Sequence, residues 1–506
     1  MNRASIPLTL SSFASLPRTR VLRGVATALC CALMSACAVG PDYQRPAVDV
    51  GEDYKQRRGQ SVGEIGAAVA TAASTEGWTP AQPQDQIDRG QWWRLYRDST
   101  LDELMAKLNA ANQTIAQAEA NYRQAQALVQ NARAGFFPFI STDASATRSG
   151  SGSGSNSTSG SQYNLGLGVS WEADLWGRIR REVESSRAQA EASFADAANA
   201  RLSAQSALAQ NYFQLRVLDE QKRLLASTVA AYERSLKLTQ NRYEAGVVGK
   251  SDVTVAEAQL ESTRAQLVDL EWQRGQFEHA IAVLVGLAPS RFTLAEAQTF
   301  EPQIPDIPVG LPSQLLERRP DVAAAERRTA AANAEIGVAQ AAWFPDLTLS
   351  ANGGFRSGEF AQWLTAPARF WSLGPALALT LFDGGARNAR LEQTRAAYDA
   401  QAAAYRLTVL TALQEVEDYL IQMRVLGEEQ VVQRRALTAA RESLRLARNQ
   451  YQEGLIDYLD VATLETGALN SERNALNLVA SRLAASVRLI AALGGGWDGL
   501  SAQQQN

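Results

Sequence analysis

The chain has 506 residues, with 49 Lys and Arg against 53 Asp and Glu, and a single histidine, His279. One histidine leaves no second imidazole for a histidine-rich metal site or a proton relay. The formal charge of −4 argues against a nucleic-acid binder, whose signature is a basic face. At roughly 150 residues per domain, the length alone suggests three or four domains.

Residues 1–36 have the order of an export signal. Arginines without any acid precede an apolar run at 25–33, which is too short to span a bilayer. Small residues then precede Cys37, an arrangement that resembles a bacterial lipobox, and Ala38 follows as in lipoproteins sorted to the outer membrane. We expect cleavage before Cys37 and acylation of its thiol; an ordinary cleaved signal is the alternative. Cys30 and Cys31 leave with the signal, so the mature chain cannot form an internal disulfide.

The body of the chain is one unit present twice. The segment that ends at Pro138 returns at Pro345, an offset of 207 residues, and the segment around Gly246 returns around Gly454, an offset of 208. A nearly constant offset over this distance indicates a duplication. The predicted division is a lipidated N-terminal segment at 37–95, a first repeat at 96–286, an inter-repeat or equatorial segment at 287–312, a second repeat at 313–494 and a tail at 495–506.

Each repeat begins with a helical pattern, at 96–134 and at about 313–341, and continues with a β-hairpin, at 138–175 and 345–382. In the first hairpin an apolar set alternates with small or polar residues, which indicates strands with one apolar face. That set comprises Tyr163, Leu165, Leu167, Val169 and Trp171. Residues 149–161 are almost purely Gly and Ser, and they predict a solvated loop.

The four predicted strands are typical of a transmembrane β-barrel, since they run for about ten residues and are bounded by aromatic residues. A soluble sandwich is the alternative, but no further strands are predicted that would cover them. Four strands cannot close alone, because a bilayer tolerates no open edge and barrels start at about eight strands. The barrel must therefore be shared between chains. Two copies would give about eight strands and a filled lumen, and three would give about twelve and an opening; three is favoured.

Long helices follow the hairpins. Residues 178–244 contain no Pro or Gly, and 387–453 repeat the pattern with one interior glycine, Gly427. At 1.5 Å per residue each would extend about 100 Å, further than a globular domain accommodates. Helices at 251–285 and 459–493 come next. Heptad spacing from Leu225 to Tyr243 and from Leu260 to Leu284 predicts that each helix pair is a coiled coil, which turns at Gly246 or Gly454. The fold class is therefore an internally duplicated α+β membrane protein, with four strands per chain in a trimeric twelve-strand barrel and a long coiled-coil tunnel.

Several motifs resemble a known family. The segments 37–43, 92–98 and 311–321 resemble NodT-type outer-membrane lipoproteins of RND efflux systems, a branch of the TolC-like outer-membrane factors, and Arg318-Arg319-Pro320-Asp321 is the most specific of them. The Gly- and Ala-rich residues 59–75 depart from that pattern as an insertion.

The resemblance implies a homotrimer that conducts drugs or other toxic small molecules passively and so takes part in antibiotic resistance. It implies partners in a periplasmic adaptor (membrane fusion protein) and an inner-membrane RND transporter, with the tunnel in the periplasm and the barrel in outer-membrane lipid. It implies no enzyme activity, metal, nucleic acid or cofactor apart from the acyl and diacylglycerol lipid on Cys37. A type I protein-secretion outlet shares the architecture and is the alternative function.

The two helix turns carry the candidate site. An acid follows each turn glycine by six residues, Asp252 after Gly246 and Asp460 after Gly454. By resemblance the turns form a closed periplasmic aperture, in which Asp460 contributes to a ring of three carboxylates that attracts cations, and the Tyr451 hydroxyl donates to Asp252. The alternative is that both acids only favour the positive end of a helix. The predicted gate residues are Asp252, Tyr451, Asp457 and Asp460, and the predicted adaptor-contacting residues are Gly246, Val247, Val248, Gly249, Gly454, Leu455 and Ile456.

Overall fold

The computed structural model describes residues 39–50, 54–55, 89–151, 158–305, 307 and 319–495. The predicted signal, Cys37 and the 59–75 insertion lie outside these residues, so their roles stay predictions. The chain forms two compact units. The first, here called the strand unit, comprises 1–43, 128–186 and 331–398, and the second, the helical unit, comprises 44–127, 187–330 and 399–506. Both units draw on both repeats, so the compact units do not follow the duplication.

The strand unit holds one antiparallel sheet in the order β1-β2-β3-β4. Its strands are β1 (Phe139–Ser151), β2 (Thr158–Ala173), β3 (Asp346–Ser357) and β4 (Arg369–Ala378). The hairpins of the two repeats are joined because β2 pairs with β3, which places Trp171 opposite Leu349. The predicted loop at 149–161 is too long, since β1 continues to Ser151 and β2 begins at Thr158. Its Gly and Ser residues adopt the extended backbone because they pair across the hairpin, Ser149 with Gly160.

The register gives the sheet two chemically different faces, because directly paired residues lie on the same side. One row across the four strands consists of Ile140, Val169, Ala351 and Leu373, and the neighbouring row consists of Ser141, Gly168, Asn352 and Ser372. Trp371 and Leu373 on the apolar face are 82% and 76% exposed in the single chain. The sheet therefore presents a broad apolar face that the described part of the chain leaves largely uncovered.

The helices are α1 (Ser99–Ala111), α2 (Gln113–Ala134), α3 (Arg178–Glu244), α4 (Lys250–Leu284), α5 (Pro320–Ala341), α6 (Ala386–Gln452) and α7 (Tyr458–Ala492). The limits of the long helices α3 and α6 agree with the sequence pattern to within one residue, and Gly427 does not interrupt α6. α7 is apolar and long enough by composition to cross a membrane, but half of its most apolar window is buried. That burial is typical of a helix packed in a bundle.

The prediction of a single helix at 96–134 is wrong, because Asn112 interrupts it and separates α1 from α2. The Asn112 backbone N–H still donates to the Leu108 carbonyl, 2.9 Å away, and so ends α1. Its side-chain Oδ1 accepts from the Ile115 N–H at 3.0 Å, which starts α2, and its Nδ2 donates to the Leu284 carbonyl at 2.8 Å. One buried asparagine thus caps two helices and joins them to the end of α4.

The other helix starts also differ from prediction. Residues 89–96 form a 3-10 helix, and α1 begins after Asp98, whose carboxylate accepts from the N–H groups of Thr100 and Leu101. Burial raises the pKa of Tyr212 to about 12, so its hydroxyl stays protonated and donates to Asp98 at 2.7 Å. In the second repeat α5 begins at Pro320, because proline suits the first position of a helix, and residues 313–318 of the predicted stretch lie outside the described residues.

The helical unit is built around a core to which the family-like motifs contribute. Trp92, Trp93 and Tyr96 are buried, and they pack with residues of α1, α3, α4 and α7. Arg319 is also buried, and it donates to Asp321 and Glu415 at 2.7 Å each and to the Ala492 carbonyl at 3.1 Å. These motifs therefore stabilise the packing of the helices that form the two coiled hairpins, away from the turns.

Candidate functional site at the two helix turns

We call α3 and α4 the first hairpin and α6 and α7 the second hairpin. Their turns have the same backbone design. Gly246 and Gly454 have φ values of +73° and +74°, a left-handed conformation that favours glycine. The residue after each glycine donates to a carbonyl five residues back: Val247 to Arg242 at 2.8 Å and Leu455 to Gln450 at 2.9 Å. Both turns are therefore Schellman-type helix ends, and the duplication is preserved at atomic detail.

The predicted adaptor-contacting residues lie at the tips of these turns. The three glycines are exposed, as are the side chains of Val247 and Leu455, at 62% and 73%. Val248 and Ile456 are half-buried. Each tip thus offers exposed aliphatic side chains on a rigid turn, which suits a contact with another protein. Contact with an adaptor stays a prediction.

The acidic residues occupy the helix starts beyond the turns. Asp252 is half-buried, and its carboxylate accepts from the Ser251 hydroxyl at 3.4 Å. Asp457 precedes α7 without capping it through its side chain, and Asp460 lies in the first turn of α7. Asp457 and Asp460 are both exposed. These positions fit the helix-dipole alternative, and they also leave the carboxylates free to face other chains.

Tyr451 is directed inward, and its partners differ from the predicted one. Its ring is 4% exposed, and its hydroxyl lies 3.2 Å from the Thr239 hydroxyl. The Arg242 guanidinium lies 4.6 Å from the centre of the ring and donates to the Tyr451 carbonyl at 2.8 Å. Within one chain, therefore, Tyr451 joins the second hairpin to the first through Thr239 and Arg242. The predicted bond to Asp252 is not among these contacts.

Sequence reasoning missed several residues at the contact between the hairpins, which we call the hairpin interface. Tyr458 is buried against Tyr451, with ring centres 5.5 Å apart, and its hydroxyl accepts from Ser235 at 3.3 Å. Gln259 donates to Thr466 at 3.0 Å. The available signal was polar residues at apolar heptad positions, of which Thr239 is one. Such residues inside a coiled coil usually need a partner from another helix.

Glu465 on α7 is the most buried acid of the second hairpin. It is 3% exposed and pairs with Arg448 of α6, whose Nη2 lies 2.8 Å from Oε1. Burial raises the pKa of Glu465, and the hydrogen bond from Arg448 opposes that rise. The pair lines a cavity of about 460 Å³ between α3 and the second hairpin. A buried carboxylate at a helix contact responds to any motion that admits water.

Among the residues described, no group of three or more His, Cys, Asp or Glu side chains is placed to hold a metal ion. The two turns therefore carry exposed aliphatic side chains at their tips and acidic side chains at the following helix starts. Hydrogen bonds join the two hairpins to each other.

Comparison with known proteins shows which family has this sequence and architecture. The model of the outer membrane efflux protein family matches residues 104–287 and 311–495, one segment in each predicted repeat. The chain is 31% identical over 479 residues to the toluene efflux pump outer membrane protein TtgF of Pseudomonas putida, covering 93% of this chain and 96% of the relative. It is 30% identical over 475 residues to the antibiotic efflux pump outer membrane protein ArpC of Pseudomonas putida, covering 92% and 94%.

The solved structure of the outer-membrane channel OprN superposes with a TM-score of 0.80 at 32% identity, covering 91% of this chain and all of that chain. TtgF and ArpC are named for efflux, which agrees with the predicted function and not with the secretion alternative. The chain therefore belongs to the outer membrane efflux protein family, and it is an outer-membrane component of an efflux system rather than an enzyme.

Proposed function

We propose that three copies of this chain form a passive channel, with a twelve-strand barrel in the outer membrane and a helical tunnel in the periplasm. The observation that carries the proposal is the four-stranded sheet, which has one exposed apolar face, one small and polar face, and β1 and β4 at its edges. An apolar face suits lipid, and a polar face suits a water-filled lumen.

Closure requires other chains. A sheet edge in hydrocarbon would leave backbone N–H and C=O groups unpaired, at several kcal/mol for each group. Pairing β4 of one copy with β1 of the next removes every edge in a ring. Three copies give about twelve strands, enough to leave an aqueous opening, whereas two would give about eight and a filled interior.

Native mass spectrometry of the detergent-purified protein tests the stoichiometry. The expected mass is that of three mature chains, and a dimer would overturn the proposed barrel. Leu373→Asp, on the apolar face of β4, should prevent assembly, whereas Ser372→Asp on the opposite face is the matched control. Equal assembly of both variants would contradict the assignment of the lipid face.

Partners and cargo follow from the family. The channel would receive its cargo from an inner-membrane RND transporter through a periplasmic adaptor that contacts the tips around Val247 and Leu455. TtgF and ArpC are named for toluene and antibiotic efflux, and these different cargos support a conduit that passes small molecules without selecting among them. Expression in a strain that lacks its own efflux outlet should restore resistance, and a Leu455→Asp variant that assembles should restore less.

The gate is the second part of the proposal. In the trimer, Asp460 and Asp457 would bring three copies of each carboxylate to one aperture, where like charges repel and attract cations. Asp252 and Tyr451 would hold neighbouring hairpins together. Asp252→Ala and Tyr451→Ala should therefore raise single-channel conductance in planar bilayers, with Glu453→Ala at an exposed tip position as control. Unchanged conductance in both variants would remove the gate assignment.

The lipid anchor completes the proposal. Acylation of Cys37 would tether the mature N-terminus to the membrane that holds the barrel. Residues just after it are bound to the strand unit: the Val39 N–H donates to the Trp176 carbonyl at 3.0 Å, and Arg181 donates to Asp42 at 3.1 Å. These contacts support an anchor located close to the end of β2.

A further inference from the structure

We propose that Glu465 is a proton-sensitive latch between the two hairpins, so that acid favours the closed periplasmic end and alkali favours its release. Glu465 is bonded to Arg448 and Tyr458 of its own hairpin, and it is buried where that hairpin packs against α3. The inference rests on the proposed channel and assigns it a regulatory element. The latch is distinct from the carboxylates of the aperture, since Glu465 lies within the hairpin interface of one chain.

The first step is the incomplete pairing of a buried carboxylate. Arg448 directs both Nε and Nη2 to the same oxygen of Glu465, Oε1, at 3.1 and 2.8 Å. The second oxygen, Oε2, accepts only a long hydrogen bond from the Tyr458 hydroxyl, at 3.5 Å. The Glu465 side chain is 2% exposed, whereas that of Arg448 is 45% exposed and shares its charge with water. A fully buried carboxylate with one oxygen poorly bonded is costly in its charged form.

The second step is the charge around Glu465. The other titratable groups that line the same cavity come from three helices: Tyr232 of α3; Arg441, Arg445 and Arg448 of α6; and Glu472 of α7. Arg441 is paired with Glu472 at 2.6 Å and Arg445 with Glu442 at 2.7 Å. Arg448 is thus the cation committed to Glu465, and Tyr232 faces it as a neutral hydroxyl.

The third step is the difference between the repeats. At the duplication offset of 208, Arg448, Tyr458 and Glu465 correspond to Gln240, Lys250 and Glu257 of the first hairpin. Glu257 is exposed, and it lies at the edge of a separate groove between α3 and α4. Only the second hairpin therefore carries a buried acid bonded to an arginine and a tyrosine at these positions, although both hairpins descend from one unit. The first hairpin supplies a matched control position within the same molecule.

Linkage gives the direction of the effect. Burial raises the pKa of Glu465 in the structure, where the hairpins are packed together, and the proposal takes this arrangement as the closed one. If the hairpins separate, water reaches the carboxylate and its pKa returns toward the ordinary value of about 4.3. The closed arrangement therefore binds the proton more tightly than the open one, and it is favoured as pH falls. The advantage is complete below the ordinary pKa and is lost as pH rises through the raised one.

Conductance against pH tests the latch on the purified full-length protein in planar bilayers. Between pH 5 and pH 8 the wild-type conductance should rise several-fold. Glu465→Gln carries no charge at any pH, so its conductance should stay at the low, acid level throughout. Glu257→Gln, the repeat-equivalent exposed acid, should follow the wild type. A pH profile of Glu465→Gln that matches wild type would overturn the proposal, as would a flat wild-type profile.

A second measurement does not depend on conduction. Spin labels on Val247→Cys and Leu455→Cys report the distance between the tips of the two hairpins in detergent. The population of longer distances should grow from pH 5 to pH 8, and Glu465→Gln should abolish that growth. Absence of conductance at every pH in all variants would refute the proposed channel. Tip distances that do not change with pH would refute the latch, whether or not the protein conducts.

Discussion

Arg242 offers the sharpest test of how the two hairpins hold together. Its guanidinium donates to the Tyr451 carbonyl at 2.8 Å and lies over the Tyr451 ring at 4.6 Å, so one side chain of the first hairpin makes two contacts with the second. Arg242→Ala removes both contacts and leaves the Tyr451 ring beside an unfilled space. If the aperture opens by separation of the hairpins, this substitution should shift the equilibrium toward the open form.

The free energy lost in Arg242→Ala follows from these two contacts. A hydrogen bond from a charged donor contributes about 1.5–3 kcal/mol, and an exposed cation–π contact contributes about 0.5–1 kcal/mol. Arg242 is half-buried, so the lower ends of these ranges apply, and their sum is about 2 kcal/mol. Since 1.36 kcal/mol is a factor of ten, the open population should rise roughly thirtyfold. Arg242→Lys keeps the charge but loses the planar guanidinium, so its open population should lie between those of the wild type and Arg242→Ala.

Single-channel recording in planar bilayers measures the effect as conductance and open time. The repeat-equivalent position is Gln450, which is exposed on α6, so Gln450→Ala controls for any general loss at a hairpin end. Thermal denaturation should show similar melting temperatures for the two variants, since both sites lie at a tip. Equal conductance of Arg242→Ala and Gln450→Ala would refute the reasoning, because Arg242 would then restrain nothing.

Three further predictions concern the rest of the chain. Asp219 is buried and accepts hydrogen bonds from Arg216 at 3.1 Å and from Arg274 at 2.8 Å. Asp219→Asn should therefore destabilise the helical unit by about 3 kcal/mol. Its melting temperature should be lower than that of the control variant Asp418→Asn. Leu373→Arg, on the apolar face of β4, should cost about 2–4 kcal/mol in the bilayer and reduce recovery of the protein in the outer-membrane fraction. Ser372→Arg, on the other face, should not reduce it. Equal recovery of both variants would contradict the assignment of an apolar and a polar face. Cys37→Ser should abolish metabolic labelling with palmitate, and labelling that persists would refute the lipobox.

Local sequence rules predicted the regular elements well, and the reasons are visible in single residues. α3 covers 67 residues because Arg178–Glu244 contains neither Pro nor Gly, and it ends where Gly246 adopts a left-handed backbone. The alternation from Tyr163 to Trp171 predicted β2, because one face of the strand is apolar over that stretch. In these elements each residue's own preference agrees with the fold.

The missed features depend on partners that are distant in the sequence. Asn112 interrupts a helical pattern because its side chain also bonds to the Leu284 carbonyl, 172 residues away. The inward rotation of Tyr451 depends on Thr239 and Arg242 of the other hairpin. Neither contact leaves a periodic signal, and a pattern that assigns acids to a gate cannot say which hydroxyl a tyrosine reaches. The residues that join the two hairpins are therefore the least predictable part of the site.

The two repeats diverge at the residues of the proposed latch. Tyr243 and Tyr451 occupy equivalent positions before the two turns, yet Tyr243 is 44% exposed and Tyr451 is 4% exposed. The buried copy is accompanied by Tyr458 and Glu465, whereas the exposed copy is followed by Lys250 and the exposed Glu257. The first hairpin also buries an acid, Asp219, but arginines bond to both of its oxygens, whereas the second oxygen of Glu465 accepts only the long hydrogen bond from Tyr458. Under the proposed latch, the releasable side of the aperture would therefore be the second hairpin.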